Sequence, residues 1–448
     1  MKKVITYGTY DLLHIGHIRL LERAKALGDY LIVGVTADDF DKKRGKINVR
    51  HSLMERVEAV RETGLADEII IEEYEGQKID DIKKYDVDIF TVGSDWVGKF
   101  DYLKEYCEVV YLERTKGISS SDIRDNENKL RVGIVGGNNL AFKYFNECGY
   151  VNGIQVVGVR TSNPDILPEE MRSLRLYKND NELIEDTDAV FVFTNPSAHF
   201  EIIKKCLENG RHVLCEAPVC VSEDEINELF EIARENGCEL FDSVKTAYAT
   251  AYDRALLLLK GGKIGDIVSV STTCTSLKES QMSPESVKYK KWKSICAWGP
   301  TALLPIFQLL GTDYKSATMI SKLNAKDKEF DDFTKIDFLY DSAVATAFVG
   351  KGVKSEGEMV VSGTKGYLYI PSPWWKTDYF EIRYENPADN KRYFYQLDGE
   401  GIRNEIVLFT QSIQSGKSLS KITPRESAAI VSFAQRFYDR RDITIIDN

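Results

Sequence analysis

The stretch VITYGTYDLLHIGHIRLLERAKALG, residues 4–28, decides the fold of the first part of the chain. An apolar strand runs into a glycine-bearing turn and then into an amphipathic helix, the opening βα unit of a parallel, doubly wound sheet. A second opening of the same kind, LRVGIVGGNNLAFKYFNECG, follows at residues 130–149. Between them the run Asp125-Asn126-Glu127-Asn128-Lys129 has no apolar anchor and reads as a domain boundary.

Outward from these openings, strands are predicted at YLIVGVT, EIIIEEY, DIFTVG and EVVYLER in the first segment. In the second they are predicted at IQVVGVR, AVFVFTN, HVLCEA and ELFDSV, with helices such as SEDEINELFEIAREN between them. After about residue 252 the pattern changes to alternating runs, DIVSVSTTCTS, SAVATAFVG, GEMVVSG, GYLYIP, YFEIRYE and KRYFYQL, which predict a mostly antiparallel sheet. The expected division is residues 1–125, a linker at 126–129, a second α/β domain at 130–252, and an α+β domain at 253–448.

At 448 residues the chain is long enough for about three domains. A net charge of −11 argues against a nucleic-acid or anionic-membrane partner, so a phosphate site must gather its cations locally. No run approaches the roughly 18 apolar residues of a membrane helix, and the N-terminus lacks a signal-peptide core. The eight cysteines are scattered without metal spacing, as expected of buried thiols in a reducing cytoplasm.

In the first segment, Gly8-Thr9-Tyr10-Asp11 leads to His14-Ile15-Gly16-His17 at a helix start. Two histidines three apart share a helical face, and a helix N-terminus offers N–H groups and positive dipole to an anion. Gly16 lets a phosphate approach closely. In nucleotidyl transfer the nucleophile is already an ionised phosphate oxygen. What the protein must supply is charge stabilisation at the α-phosphorus and the leaving pyrophosphate.

These residues resemble the cytidylyltransferase family, in particular the glycerol-3-phosphate cytidylyltransferases of the type that serves teichoic-acid synthesis. The resemblance rests on GTYDLLHIGH, LLERAKALGDYLIVGVTADDF, GSDWVGKFDYL, CEVVYLERT and KGISSSDI, in order across residues 1–125. It implies a Rossmann-like nucleotidyltransferase in which His14, His17, Lys46 and Arg114 are catalytic. It also implies that Thr9, Tyr10, Gly16, Asp95, Trp96, Arg114, Thr115, Ser119 and Ser120 bind CTP. Lys46 and Arg56 are then the cations for the substrate phosphate and pyrophosphate, although Lys46 lies in a lysine-rich stretch that also reads as a solvated loop. Asp11 either positions Mg²⁺ or caps the helix. No aromatic or acidic cage for choline is evident, so a small polyol phosphate is favoured over choline or ethanolamine phosphate.

In the second segment Gly136-Gly137-Asn138-Asn139-Leu140-Ala141 stands where a dinucleotide fingerprint belongs, with Asn138 at the second glycine. With the TNPSAH turn, ENGRHVLCEAP and SGTKGYLYIP, residues 130–448 resemble the glucose–fructose oxidoreductase/inositol dehydrogenase (Gfo/Idh/MocA) family. The resemblance implies an NAD or NADP site drawn from Gly136, Gly137, Asn138, Asn139, Arg160, Thr161, Thr194, Asn195, Pro196, His199, Glu216 and Lys245.

The departures from that family are pointed. Arg160 and Thr161 replace the cofactor-side acid, which suits a 2′-phosphate or marks a lost site. Ala217 replaces the family's lysine in Glu216-Ala217-Pro218, and Leu304 or Pro305 with Phe307 or Gln308 stands where its Asp…His pair falls. Hydride transfer to or from a carbinol needs a proton carrier, for which Lys245 and His199 are the substitutes at hand. Trp292, Trp298, Trp374 and Trp375 pack on a sheet face or line a pocket.

The expected whole is a cytidylyltransferase fused to a non-catalytic dehydrogenase frame. The alternatives are an active reductase that makes the polyol phosphate, or other chemistry on the activated product. A homodimer or larger homo-oligomer follows from family resemblance.

Overall fold

The computed structural model describes residues 1–38, 49, 51–74, 76–113, 129–277, 294–325, 328–395 and 397–446. Two compact units result: Met1–Lys129 with Val151–Gly153, and Leu130–Tyr150 with Ile154–Asn448.

The first unit is a five-stranded, all-parallel sheet of β1 (Lys3–Gly8), β2 (Tyr30–Thr36), β3 (Glu68–Glu72), β4 (Ile89–Gly93) and β5 (Glu108–Leu112). The spatial order is β3-β2-β1-β4-β5. Each strand is apolar on both faces because helices cover both. Val4, Leu31, Val33 and Val35 pack on one side with Leu21 and Val60; Ile5, Ile32 and Phe90 pack on the other with Ile82 and Leu103. The order reverses between β1 and β4, and the crevice beyond their carboxyl ends is where a doubly wound sheet receives its ligand.

The second unit begins with a six-stranded parallel sheet of β6 (Leu130–Gly136), β7 (Ile154–Arg160), β8 (Arg175–Leu176), β9 (Ala189–Phe193), β10 (His212–Glu216) and β11 (Leu240–Ser243). Its order is β11-β10-β9-β6-β7-β8, so the switch point lies between β6 and β9. A nine-stranded mixed sheet follows. Its strands, in spatial order, are Lys391–Phe394, Tyr379–Arg383, Tyr367–Ile370, Met359–Gly363, Ile267–Thr275, Val344–Gly350, Asp331–Leu339, Ser316–Leu323 and Ile443–Ile446. Two neighbouring pairs are parallel and the rest antiparallel.

The α/β, α/β, mostly antiparallel order expected from the sequence is the order observed. No helix among the described residues is long and apolar enough to cross a membrane. All eight cysteines are free thiols.

Candidate active site

In the first unit the loop after β1 carries the histidine pair to the switch point. Tyr10 and Leu12 adopt positive φ, 53° and 48°, which turns the chain sharply before the helix Ile15–Lys25. His14 is the N-cap of that helix, and its Nδ1 accepts the Gly16 N–H at 3.0 Å. An accepting Nδ1 leaves the proton of a neutral ring on Nε2, so His14 offers an N–H donor to an anion. The rings of His14 and His17 stack with centroids 4.0 Å apart, one helical turn bringing them together.

Tyr10 is fully buried, edge-on to His17 at 5.5 Å, and Gly8 is small enough to admit its ring. Its ring supports the His17 imidazole. Thr9 is also buried, and its carbonyl is held by Arg56.

Arg56 anchors the same loop. Its guanidinium is completely buried and spends Nε on the His51 carbonyl (3.1 Å) and Nη1 on the carbonyls of Thr9 (2.7 Å) and Thr36 (2.8 Å). Nη2 pairs with Asp38. A planar donor fork thus ties the loop after β1 to the end of β2 and to the start of the helix Leu53–Glu62. Arg56 organises the floor of the site.

Asp11 is buried as well, and its Oδ1 accepts the His51 N–H at 3.1 Å. That bond fastens the loop; among the described residues no three acidic, imidazole or thiol groups gather to hold a metal.

Across the crevice, β4 leads directly into the turn Ser94–Trp96. The Trp96 ring lies 5.7 Å from Phe100 and beneath the Lys99 ammonium at 5.3 Å, a flat aromatic surface at the switch point. The side chain of Asp95, together with Lys46, Arg114, Thr115, Ser119 and Ser120, lies outside the described residues.

A further group was not anticipated. Lys78 is buried against Glu72, with its ammonium 4.5 Å from the Tyr7 ring centroid and 5.6 Å from that of Phe100. Glu72 also accepts Thr36 Oγ1 at 3.0 Å, and Tyr7 donates its hydroxyl to Asp81 at 2.9 Å. Burial, with Asp81 next in weight, holds the Tyr7 phenol protonated. The network joins the carboxyl ends of β1, β2 and β3, and Gly34 permits it because any Cβ there would strike the Tyr7 ring at 2.3 Å.

In the second unit the fingerprint turn keeps its first glycine for a physical reason. Gly136 has φ 120°, and a Cβ would sit 2.1 Å from the Phe193 carbonyl. Gly137 continues the turn, and Asn139 opens the helix Asn139–Cys148. At the second glycine position, Asn138 Oδ1 accepts the N–H groups of Leu140 and Ala141, both at 2.9 Å. Its Nδ2 donates to the Phe193 carbonyl (3.3 Å) and to Glu216 (3.2 Å). The helix amides that a pyrophosphate would use already have a side-chain acceptor.

Arg160 pairs with Asp180 at 3.0 Å, and Thr161 Oγ1 accepts the Asn163 N–H at 3.3 Å. Asn195 and Pro196 are the N-cap and first residue of the helix Pro196–Glu208. His199 is wholly buried, its ring nitrogens 3.0 Å from the Pro218 carbonyl and 3.1 Å from the Thr194 carbonyl. Burial lowers its pKa to about 4, so the ring is neutral and its single N–H donates to one of these two carbonyls.

Leu304 and Phe307 are core residues, while Gln308 accepts the Tyr252 hydroxyl at 2.8 Å and donates to the Lys421 carbonyl at 2.9 Å. Trp374 is buried with its Nε1 donating to the Thr273 carbonyl (3.1 Å), and Trp298 packs on Trp375 at 4.8 Å. Trp292 lies outside the described residues. Lys245, just beyond β11, is paired with Glu400.

A parallel sheet that presents two stacked imidazoles at a helix mouth, opposite an aromatic turn across its switch point, defines a nucleotidyltransferase. The cytidylyltransferase-like family pattern matches residues 5–126, and the chain belongs to that family through its first unit. A glycerol-3-phosphate cytidylyltransferase of Bacillus spizizenii is 56% identical over 124 residues, 28% of this chain and 95% of the relative. One from Staphylococcus aureus is 50% identical over 124 residues, 28% of this chain and 93% of the relative.

Residues 130–243 match the oxidoreductase family with an NAD-binding Rossmann fold, Gfo/Idh/MocA. A 3-ketoreductase from Actinomadura kijaniata, solved with NADP and TDP-benzene, superposes with a TM-score of 0.63 at 18% identity, covering 71% of this chain and all of the other. The UDP-N-acetylglucosamine 3-dehydrogenase of Acidithiobacillus ferrooxidans gives 0.58 at 16% identity, covering 70% and 98%. The chain is a cytidylyltransferase-like domain fused to a Gfo/Idh/MocA oxidoreductase domain.

Proposed function

We propose that the first unit joins CTP to a small phosphorylated polyol, with glycerol 3-phosphate the leading substrate, and releases pyrophosphate. The observation that carries this reading is the 56% identity across nearly the whole of a glycerol-3-phosphate cytidylyltransferase. The stacked imidazoles at the switch point supply its chemistry. An oxygen of the alcohol's phosphate attacks the α-phosphorus of CTP, and the bond to the β-phosphate oxygen breaks as pyrophosphate departs. His14 and His17 donate to the phosphate oxygens as charge builds there. Arg114, Thr115, Ser119 and Ser120 hold the β- and γ-phosphates, with Lys46 on the reacting phosphates; Asp95 and Trp96 face the base and ribose. Mg²⁺ bound with the triphosphate would neutralise phosphate charge, with Asp11 its candidate partner in the protein. Thr9 and Tyr10 act through the loop that they build.

The second unit is a dehydrogenase frame that transfers no hydride. Ala217 has no proton to give, the positions of the family's Asp…His pair are apolar or otherwise bonded, and Asn138 competes with the cofactor's pyrophosphate. The second reading, an NAD(P)-dependent reductase that supplies the polyol phosphate, is favoured by the intact turn at Gly136. Thermal shift with NAD(H) and NADP(H) separates the two. No response to any of the four excludes the reductase, and turnover of a ketose phosphate excludes the inert frame.

A further inference from the structure

The second unit gathers three lysines from three separate segments around one carboxylate. Lys143 comes from the helix Asn139–Cys148, Lys245 from the turn after β11, and Lys376 from the turn Trp374–Lys376. Lys143 Nζ reaches Glu400 Oε2 at 2.9 Å, Lys376 Nζ reaches Oε1 at 2.9 Å, and Lys245 pairs with Oε2. Among the described residues Glu400 is the only carboxylate within ion-pair distance of any of these ammoniums.

The chain bends itself to put Glu400 there. Gly399, Glu400 and Gly401 are three consecutive residues in the left-handed region, with φ of 62°, 52° and 90°. A Cβ on Gly401 would lie 2.2 Å from the Lys245 carbonyl oxygen, so the turn closes directly on the lysine.

One carboxylate neutralises one ammonium, so two positive charges remain at a place shielded enough for burial to lower the pKa of Lys245. Fold maintenance alone would be served by a single pair, because concentrating like charges in reduced dielectric is unfavourable. The nearby acid Glu405 does not help: its own burial raises its pKa to about 8, and it accepts from Tyr144 and Ser243 instead (Ser243 at 3.0 Å). The Lys143 and Lys376 side chains are 44% and 36% exposed, which leaves the cluster open to a solute. A surplus of two positive charges on mobile point-charge donors is the complement of a phosphate dianion.

We infer that Lys143, Lys245 and Lys376 form a binding site for the phosphate of a phosphorylated small molecule, with Glu400 as its resident counter-ion. The inference stands whether or not the second unit transfers hydride.

The test uses the full chain, calorimetric titration with inorganic phosphate, and chloride at matched ionic strength as control. Glu400→Gln removes the resident negative charge and is expected to tighten phosphate binding at the cluster about tenfold. The double variant Lys143→Ala/Lys376→Ala is expected to weaken it at least about tenfold while cytidylyl transfer is unchanged. Because both changes lie in the second unit, phosphate binding in the first contributes equally to all three proteins. Repeating the titration with glycerol 3-phosphate and with CDP distinguishes a phosphomonoester from a nucleotide diphosphate as the ligand. Phosphate binding that is the same in the wild type and in the double variant overturns the proposal, and this comparison decides even if Glu400→Gln does not fold.

Discussion

The rings of His14 and His17 lie 4.0 Å apart and 23° from parallel at the mouth of the first helix. With His14 Nδ1 already accepting from Gly16, its Nε2–H is the donor it offers, and an anion at the helix mouth is the partner to which both rings can donate. His17→Ala is expected to lower cytidylyl transfer by about two orders of magnitude or more, the range for losing a transition-state donor. His17 is only half-buried, so the thermal transition of the first unit should stay within a few degrees of wild type. Pyrophosphate release with a parallel melting curve checks both. A near-wild-type rate would mean that the site is elsewhere.

Arg56 should behave as a structural residue. Truncation to alanine takes the buried donor from three carbonyls and the partner from the part-exposed Asp38, and is expected to cost the first unit about 3 kcal/mol. Arg56→Lys should recover only part of the loss, since one ammonium cannot span four acceptors. Denaturant titration measures the loss. An Arg56→Ala protein of normal stability with only a raised KM for the alcohol phosphate would restore the substrate-contact role.

At the second site, Asn138→Gly removes the acceptor that occupies the Leu140 and Ala141 amides. Glycine at an N-cap costs only a few tenths of a kcal/mol relative to asparagine, so the frame should survive. NADP(H) affinity is expected to rise by about tenfold, one hydrogen-bonded competitor being worth about 1.4 kcal/mol. Fluorescence titration checks it; unchanged or weaker binding would show that Asn138 is no obstacle.

Glu405 gives the second unit a pH signature. Burial raises its folded pKa to about 8 from an unfolded value near 4.5, while hydrogen bonds from Tyr144 and Ser243 oppose the shift. A raised folded pKa means stability fully present below about pH 4.5 and lost progressively as pH rises toward 8. Asp242, raised to about 6 by burial, acts in the same direction over a lower window. Glu405→Gln should therefore flatten the stability profile of the second unit between pH 5 and 8, as followed by its melting temperature. A slope identical to wild type would contradict the assignment.

Much of this architecture is legible in the chain because a βα opening is local: strand, glycine turn and helix lie within some twenty residues, twice over. Paired histidines at a helix start are legible for the same reason. What escapes is whether a polar side chain ends up inside. Arg56 and Arg61 occupy one short helix and look alike in sequence, yet the first is sealed and the second has a 58% exposed side chain. Nothing local separates Lys78 from Lys83 and Lys84 on the next helix, because its burial depends on Tyr7, Glu72 and Phe100 from elsewhere in the sheet. His199 reads as a base until the carbonyls of Thr194 and Pro218 close over it. Glu400 draws its lysines from as far as 257 residues away.

The most direct measurement is pyrophosphate release by the full chain with CTP or ATP against glycerol 3-phosphate, longer alditol phosphates, choline phosphate and ethanolamine phosphate. Phosphorus NMR identifies the product. Rapid turnover with CTP and a polyol phosphate, giving a CDP-alcohol, is the expected result. Turnover confined to ATP, or to choline or ethanolamine phosphate, would contradict the assignment.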